Sequence, residues 1–519
     1  MSKGIPDIDS LSPQEKRALL ERLLAGQEET FPLSLAQQQL WLLDQLAPSS
    51  SLYTIAVAYR LQGPLHLRHF ERSLQEIILR HESLRTNIVS TGHQAYQTVV
   101  PAPLINLPVI ELGGVAEADR DAYIDRLVYE VVLQPFDLAG NPLIRAALLR
   151  RSQQEHIFVL AMHHIISDGW SMDVFFHELS VLYNAYLAGR PAFLKELPIQ
   201  YIDYAIWQRE WLQSEICANQ LAYWKQQLDA APPVQLLADH PRPTRHTFNG
   251  TRQTFSLPAS LISALKQMAQ SEDATLFMVL LAGFNALLSR YTGQEDIVIG
   301  TPIANRTRTE YEGLIGFFSN TLALRTRVSG EHTFRQLLQQ VRDVCLAAYA
   351  HQELPFETLV EELHPERGLS YTPLVQVLFV LQNMPGGEFK PDDIVVQLFE
   401  LVGTTAKFDL TLHLQEAPEG MHGYIEYSTD LFEADTIRRM AEHFRVLLEN
   451  AVTDSRQQVA MLPLLTTTEY QQLVSARNEE YTAYPLELCI HQIFERQVAR
   501  TPDAIALIFA DQMITYATL

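Results

Sequence analysis

His163 and His164 stand side by side in MHHIISDGWS at 162–171, with Asp168 and Gly169 four and five positions after the second histidine. An imidazole titrates near pH 6.5, so it takes up and returns a proton close to neutrality, as a general base must. The residues ahead of the pair alternate as in a strand, which places Phe158, Leu160, Met162 and His164 on one side and Ile157, Val159, Ala161 and His163 on the other. The two rings are then expected to point oppositely, with only one facing any given cavity. Metal ligands on a single strand normally sit two residues apart, so the pair does not read as a metal site. No nucleophile accompanies it, because GFFSN at 316–320 lacks the G-x-S-x-G pattern and Cys217, Cys345 and Cys489 are far apart, expected to be small buried hydrophobes. By themselves these residues leave three roles open: general base, packing, and a hydrogen-bonded ring of fixed tautomer.

Elements must hold such a ring still. HIFVLAMHHI predicts a strand, SDG a tight turn, and the stretch from Gly169 to Gly189 a helix, so strand, turn and helix meet at the histidines. Asp168 is placed to cap that helix, and the free amides of its first turn favour negative charge developing nearby.

The wider chain is a mixed α/β protein of 519 residues, long enough for more than one lobe. Residues 31–200 mix strands such as TIAVAYRLQG with helices such as HFERSLQEIILRHESL and read as a first lobe. A second mixed lobe spans 201–465, after an aromatic-rich helical stretch and the proline-rich DAAPPVQLLADHPRPTRHTFNG near the boundary. LSPQEKRALLERLLAG, inside 1–30, predicts a short amphipathic helix with Ser12, Pro13 and Gly26 as its start and stop, either covering the domain or docking a partner. A linker at 466–485 precedes an amphipathic helix and strands at 486–519, where a new element begins as the sequence ends.

Charge limits the partners. Lys and Arg total 39 against 61 Asp and Glu, a formal charge of -22 that repels phosphates of nucleic acid and anionic lipid. The N-terminus lacks the apolar core of a signal peptide, and LFMVLLAGFNALL is too short to span a bilayer and contains Asn285, so a cytoplasmic protein is expected.

HHIISDG matches the H-H-x-x-x-D-G signature of the condensation domains of nonribosomal peptide synthetases, relatives of chloramphenicol acetyltransferase. Six further stretches resemble the family's other motifs, in family order: SLAQQQLWLLDQL at 34–46, RHESLRT at 80–86, YIDYAIWQRE at 201–210, IGTPIANRTRTEYEGLIGFFSNTLALR at 299–325, HQELPFE at 351–357 and RGLSYTPLVQVLFVLQN at 367–383. The tail looks like the opening of an adenylation domain.

The resemblance implies two acetyltransferase-like lobes in a V, a pseudo-dimer, with the histidines in a tunnel entered from both faces. Two carrier proteins dock at opposite mouths, each presenting a thioester on 4'-phosphopantetheine, and no cofactor or metal is bound intrinsically. By motif match His164 is catalytic, while His163, Asp168 and Gly169 support it; Asp168 is expected to pair with Arg306 across the lobes, with Arg85 the other candidate. Ser319, Asn320, Trp170 and Ser171 are candidates for lining the tunnel or binding the oxyanion. The double histidine speaks against a heterocyclization domain, and the D-G-W-S continuation and the tail favour joining of L-configured residues over epimerization. Starter domains and modules fed by a polyketide carrier resemble this one too. So would a domain forming esters, or a degenerate docking platform, although platforms tend to lose the histidine motif. No G-G-x-S carrier site occurs in the chain, so both carriers are expected to come from elsewhere, with another protein as one candidate source of the donor, and the domain is expected to be monomeric.

Overall fold

The computed structural model describes residues 29–46, 50–92, 94–104, 107–140, 142–363, 373–382, 389–399, 401, 403, 405–475, 488–509 and 512–519. The helix expected at 11–26 and the first part of the 367–383 motif lie outside these residues. The chain forms two compact units, Met1–Leu464 and Leu465–Leu519.

The first unit is built on two large sheets. The five-stranded sheet has the order Val395–Phe399, Thr54–Gln62, Glu155–His163, Ile144–Arg150 and Val109–Glu111, with the histidine strand at its centre. That strand runs antiparallel to both neighbours, Thr54 opposite His163 and Ile144 opposite Met162. It reads as a nearly unbroken apolar run because both of its faces are covered. Phe158, Leu160 and Met162 pack with the helices Leu67–Arg80 and Gly169–Leu187, whereas Ile157 and Val159 pack against Ile124 and Val128 of the helix Glu117–Leu133. Phe158 meets the edge of Phe70 at 4.9 Å between ring centroids, so the end of the strand is anchored in a well-packed core.

The six-stranded sheet has the order Asn320–Arg327, Asp296–Ile303, Val377–Gln382, Leu410–Ala417, Gly420–Ser428 and Gly250–Pro258. Its core face carries the helix Leu276–Thr292, buried from Met278 to Leu288 between the helices Phe334–Ala350 and Ala434–Thr453. This is the oily stretch of the sequence, and Asn285 fits there by donating its amide to Leu281 O at 2.9 Å. Among the described residues no single helix is long and apolar enough to cross a membrane.

A division into two consecutive lobes is crossed twice. The strand Val395–Phe399, which comes late in the chain, adds to the first lobe's sheet, with Val395 opposite Gln62 and Phe399 opposite Ala58. Gly63 lets this happen: it adopts φ +139°, and a side chain there would collide with the Asp393 carbonyl oxygen. The helix Tyr201–Trp211 ties itself to the start of the first lobe, where Gln208 accepts from Leu35 N at 3.0 Å and Arg209 donates to Leu33 O at 2.8 Å.

In the second unit the helix Ile490–Arg500 is followed by an antiparallel hairpin of Ile505–Phe509 and Gln512–Thr515. Cys217 and Cys345 are buried as expected, and burial pushes the Cys345 thiol up to about 12. Cys489 departs from that expectation and is exposed, because it caps the Ile490–Arg500 helix, whose residues are not buried.

Candidate active site

The histidine strand ends one residue earlier than its alternation predicts. His163 is its last residue, and His164–Ile166 form a single 3-10 turn. The His164 amide still donates to Tyr53 O at 2.7 Å, its opposite number in the ladder's register, and the backbone then turns, with His163 Nδ1 accepting from Ile165 N at 3.1 Å and His164 O from Ser167 N at 3.3 Å. The ring of His163 is buried, edge-on to Phe136. His164 is half-buried as a residue, and its ring rests edge-on to Phe317, at 4.8 Å between centroids.

The tautomer of His164 follows from one contact. Its Nδ1 lies 3.1 Å from Ser167 O, and a carbonyl only accepts, so Nδ1 carries the proton and Nε2 presents a lone pair. Burial first, and then the charge of Lys407, push its pKa down to about 3 against the opposing pull of Asp168. Burial and Lys407 push His163 down to about 4. Both rings are neutral at pH 7. The site therefore offers one fixed acceptor nitrogen on a ring that burial keeps neutral.

Asp168 sits at the other end of the turn, fully buried. Its Oδ1 caps the Gly169–Leu187 helix by accepting from Ser171 N at 2.8 Å, and also accepts from Arg306 at 3.2 Å. Its Oδ2 accepts from Phe318 N at 3.0 Å, Ser319 N at 3.2 Å and Ser319 Oγ at 3.3 Å. Burial alone would raise this carboxyl; Arg306 and the donated hydrogen bonds outweigh it and hold Asp168 below its ordinary value. Arg306 in turn donates to Leu314 O at 2.7 Å and lies over the Phe318 ring at 4.2 Å. The ion pair joins the first lobe to the 306–319 segment of the second. Gly316 approaches so closely that a side chain there would strike the Tyr201 ring, while its amide donates to Ser171 Oγ at 3.0 Å.

The profile of the family described as Condensation domain matches residues 27–474. The chain belongs to the condensation-domain family. It is 46% identical over 495 residues to one protein of the linear gramicidin synthase of Brevibacillus parabrevis, an alignment that covers 95% of this chain and 6% of that protein. The condensation domain thus spans a small fraction of that relative. The X-domain from teicoplanin biosynthesis shares its fold with a TM-score of 0.76 at 28% identity, over 84% of this chain and 98% of that one. A four-domain holo nonribosomal peptide synthetase bound to AMP and glycine gives a TM-score of 0.79 at 23% identity, over 94% of this chain and 38% of that one. The two-lobed α/β fold is the one these structures have.

Several residues expected near the reaction in this condensation domain are engaged elsewhere. Arg85 pairs with Glu82 at 3.4 Å and donates to Val100 O at 3.2 Å, inside the first lobe, so Arg306 alone of the two candidates meets Asp168. Ser171 and Ser319 turn their hydroxyls to Asp168 and are not free oxyanion donors. Asn320 donates its amide to Gln352 O at 2.9 Å and Leu354 O at 2.7 Å and accepts from Phe356 N at 2.9 Å, so it fixes the HQELPFE turn. Trp170 donates to Glu312 O at 2.8 Å and lines an outer cleft of about 490 Å³ with Asp173, His177 and Phe193. Gly169 is the first residue of the capped helix.

Three residues near the site are not singled out by sequence reasoning: Tyr53, Phe317 and Lys407. Phe317 lies inside the 299–325 motif, and Lys407 carries a faint signal as a lone cation opening the apolar strand sequence KFDLTL. A buried second link between the lobes is equally silent in the sequence, in which Ser83 donates to Ile315 O at 2.7 Å and His81 Nδ1 accepts from Ile315 N at 3.4 Å.

Proposed function

We propose that this domain forms an amide bond between a donor acyl or peptidyl thioester and the amine of an acceptor aminoacyl thioester, both presented on the phosphopantetheine arms of carrier proteins. The observation that carries this reading is the Nε2 of His164, left as an acceptor on a half-buried residue whose other ring nitrogen is tied to Ser167 O. A nitrogen nucleophile placed against Nε2 is oriented by a hydrogen bond before it attacks. As the C–N bond forms and the C–S bond breaks, Nε2 receives the proton that the nitrogen sheds and passes it to the leaving thiolate.

This asks little of the base. An α-amine with a pKa of about 7.7–8.0 is already partly neutral at pH 7. Orientation can lower the barrier by about 7–11 kcal/mol, against about 3–5 kcal/mol for general acid–base help of roughly 10²–10⁴-fold. His164 is accordingly a positioner of the amine as much as a proton acceptor. Asp168 and Arg306 hold the turn and the two lobes so that the ring stays in register.

The subtype we favour joins L-configured residues, on the D-G-W-S continuation and the adenylation-like tail. Carriers and an adenylation domain are the partners this reading requires. Its test is an intact-mass measurement with two loaded carriers: acyl mass moving from donor to acceptor supports it. A docking platform is the second reading, favoured by the fold shared with the X-domain, which has been solved in complex with OxyB. Carrier binding with no transfer to either an amine or a hydroxyl acceptor would establish the platform instead.

A further inference from the structure

Residues 315–319 run without helix or strand between the helix Thr309–Glu312 and the strand Asn320–Arg327, so no ladder of their own holds them. Side chains from elsewhere do. Ser83 donates to Ile315 O at 2.7 Å, the Gly316 amide donates to Ser171 Oγ at 3.0 Å, Tyr201 donates to Phe317 O at 2.7 Å, and Asp168 Oδ2 accepts from Phe318 N and Ser319 N. Tyr201 is itself tied down, its hydroxyl lying 2.9 Å from that of Ser34. All five residues are thus gripped through main-chain atoms, four of them by side chains of the first lobe.

The two adjacent phenylalanines leave this segment for different surroundings. Phe318 is fully buried among Tyr201, Tyr204 and Tyr311, with ring centroids 4.6–5.5 Å away, and has the Arg306 guanidinium over its face. Phe317 is only half-buried and meets the His164 ring at 4.8 Å between centroids, with the planes inclined by 63°. An edge-to-face contact of this kind has a preferred direction, as a general apolar contact does not. The bond from Nδ1 to Ser167 O decides which nitrogen carries the proton, but a single hydrogen bond leaves a ring free to tilt about it.

We propose that Phe317 is a positioning residue for the reaction at His164: its ring, delivered from the second lobe on a main chain that the first lobe grips, fixes the tilt of the imidazole and so the direction in which Nε2 points. The inference rests on the amide-forming reading given above. No bond or proton in that reaction changes its course; what the contact sets is how often the acceptor nitrogen finds Nε2 aligned with it. A misplacement of about 1 Å can lower a rate roughly 10²-fold with every reacting group still present.

The test is a double-mutant cycle in single-turnover amide formation by the full chain with loaded donor and acceptor carriers, the acceptor being varied so that maximal rate and half-saturating concentration are read separately. Phe317→Leu keeps an apolar side chain and removes the ring. Its maximal rate should fall about 10- to 100-fold, with the half-saturating concentration within about twofold of the wild type, and Phe317→Tyr, which keeps the ring edge, should recover most of the loss. In the His164→Ala background the change to leucine should cost less than about twofold, because no imidazole is left to align. Tyr201→Phe, which deletes the bond to Phe317 O, should act in the same direction with a smaller loss, again only while His164 is present. A wild-type rate in Phe317→Leu, or a loss that recurs in full in His164→Ala, overturns the inference; the second result would make the ring a wall of the substrate site or a strut of the fold. Should Phe317→Leu fail to fold, Phe317→Met and Tyr201→Phe complete the same cycle. Absence of amide from the wild type overturns the reading itself and this inference with it, whereas wild-type product with additive losses overturns the inference alone.

Discussion

The two ends of the HHIISDG turn face opposite chemical conditions although only three residues separate them. Asp168 is sealed, ionised and hydrogen-bonded on both oxygens by Ser171, Arg306, Phe318 and Ser319. His164 is neutral, half-buried as a residue, and has one nitrogen tied to Ser167 O. A group that has used all its bonding capacity inside the protein holds the architecture, and one with a lone pair left over can serve a ligand. The motif is conspicuous because it contains both kinds of group, and the end with a lone pair left over is the one proposed for the chemistry.

Removing the ring is the strongest way to break this contrast. His164→Ala should lower single-turnover amide formation by about 10²–10⁴-fold while leaving the thermal midpoint within a few degrees, since the ring donates to one backbone carbonyl only. A wild-type rate in this variant would remove His164 from the reaction. At the other end the order of effects should reverse. Asp168→Asn leaves Arg306 buried beside a neutral group, and chemical denaturation should show a loss of about 3–5 kcal/mol. Combining it with Arg306→Met should recover part of that loss, because the uncompensated charge goes too.

Titration sharpens the contrast further. The folded-state pKa values of His164 and His163 lie below the unfolded value of 6.5, at about 3 and about 4, so between those limits the unfolded chain binds more protons. Their contribution to stability is present above about pH 6.5 and is lost as the pH falls toward 3. Asp168, with its pKa lowered, contributes stability above its unfolded pKa that is lost only as the pH falls through the lower folded value. Denaturation midpoints should therefore begin to decline near pH 6.5, and His164→Gln should flatten that decline. A midpoint flat down to pH 4 would contradict the assignment of both rings. The smallest change is expected for Ser319→Ala, which removes one of several donors to Asp168: about 0.5–1.5 kcal/mol in stability and less than tenfold in rate.

Local chemistry was legible where it depended on neighbours in sequence. The strand, the turn, the Asp168 cap and the helix after it could be read from residues 156–189, since periodicity and capping act over a few positions. The boundary error at His164 arose because alternation of apolar residues does not register the turn bonds that end the strand, Ile165 N to His163 Nδ1 and Ser167 N to His164 O. Ser319 and Asn320 were the right kind of residue near the right place, yet which acceptor each one serves is decided by Asp168 and by the 352–356 turn. Lys407 was hidden for the same reason: its meaning comes from Tyr53, which only the closed fold brings to it. VVQLF at 395–399 announces a strand, but nothing in those five residues says that its partner is Thr54–Gln62 rather than a strand of its own lobe.

That exchanged strand restricts how the molecule can breathe. A gap between the lobes cannot widen like a pair of scissors about one pin, because Val395–Phe399 is stitched along Ala58–Gln62 by a ladder that would have to be unzipped. Small rotations that leave this seam intact are the inexpensive motions, and they pivot at the edge of the sheet whose centre ends in the histidines. Such rotations would leave the turn that bears His164 anchored on the central strand, which its ladder with Thr54–Gln62 holds in place.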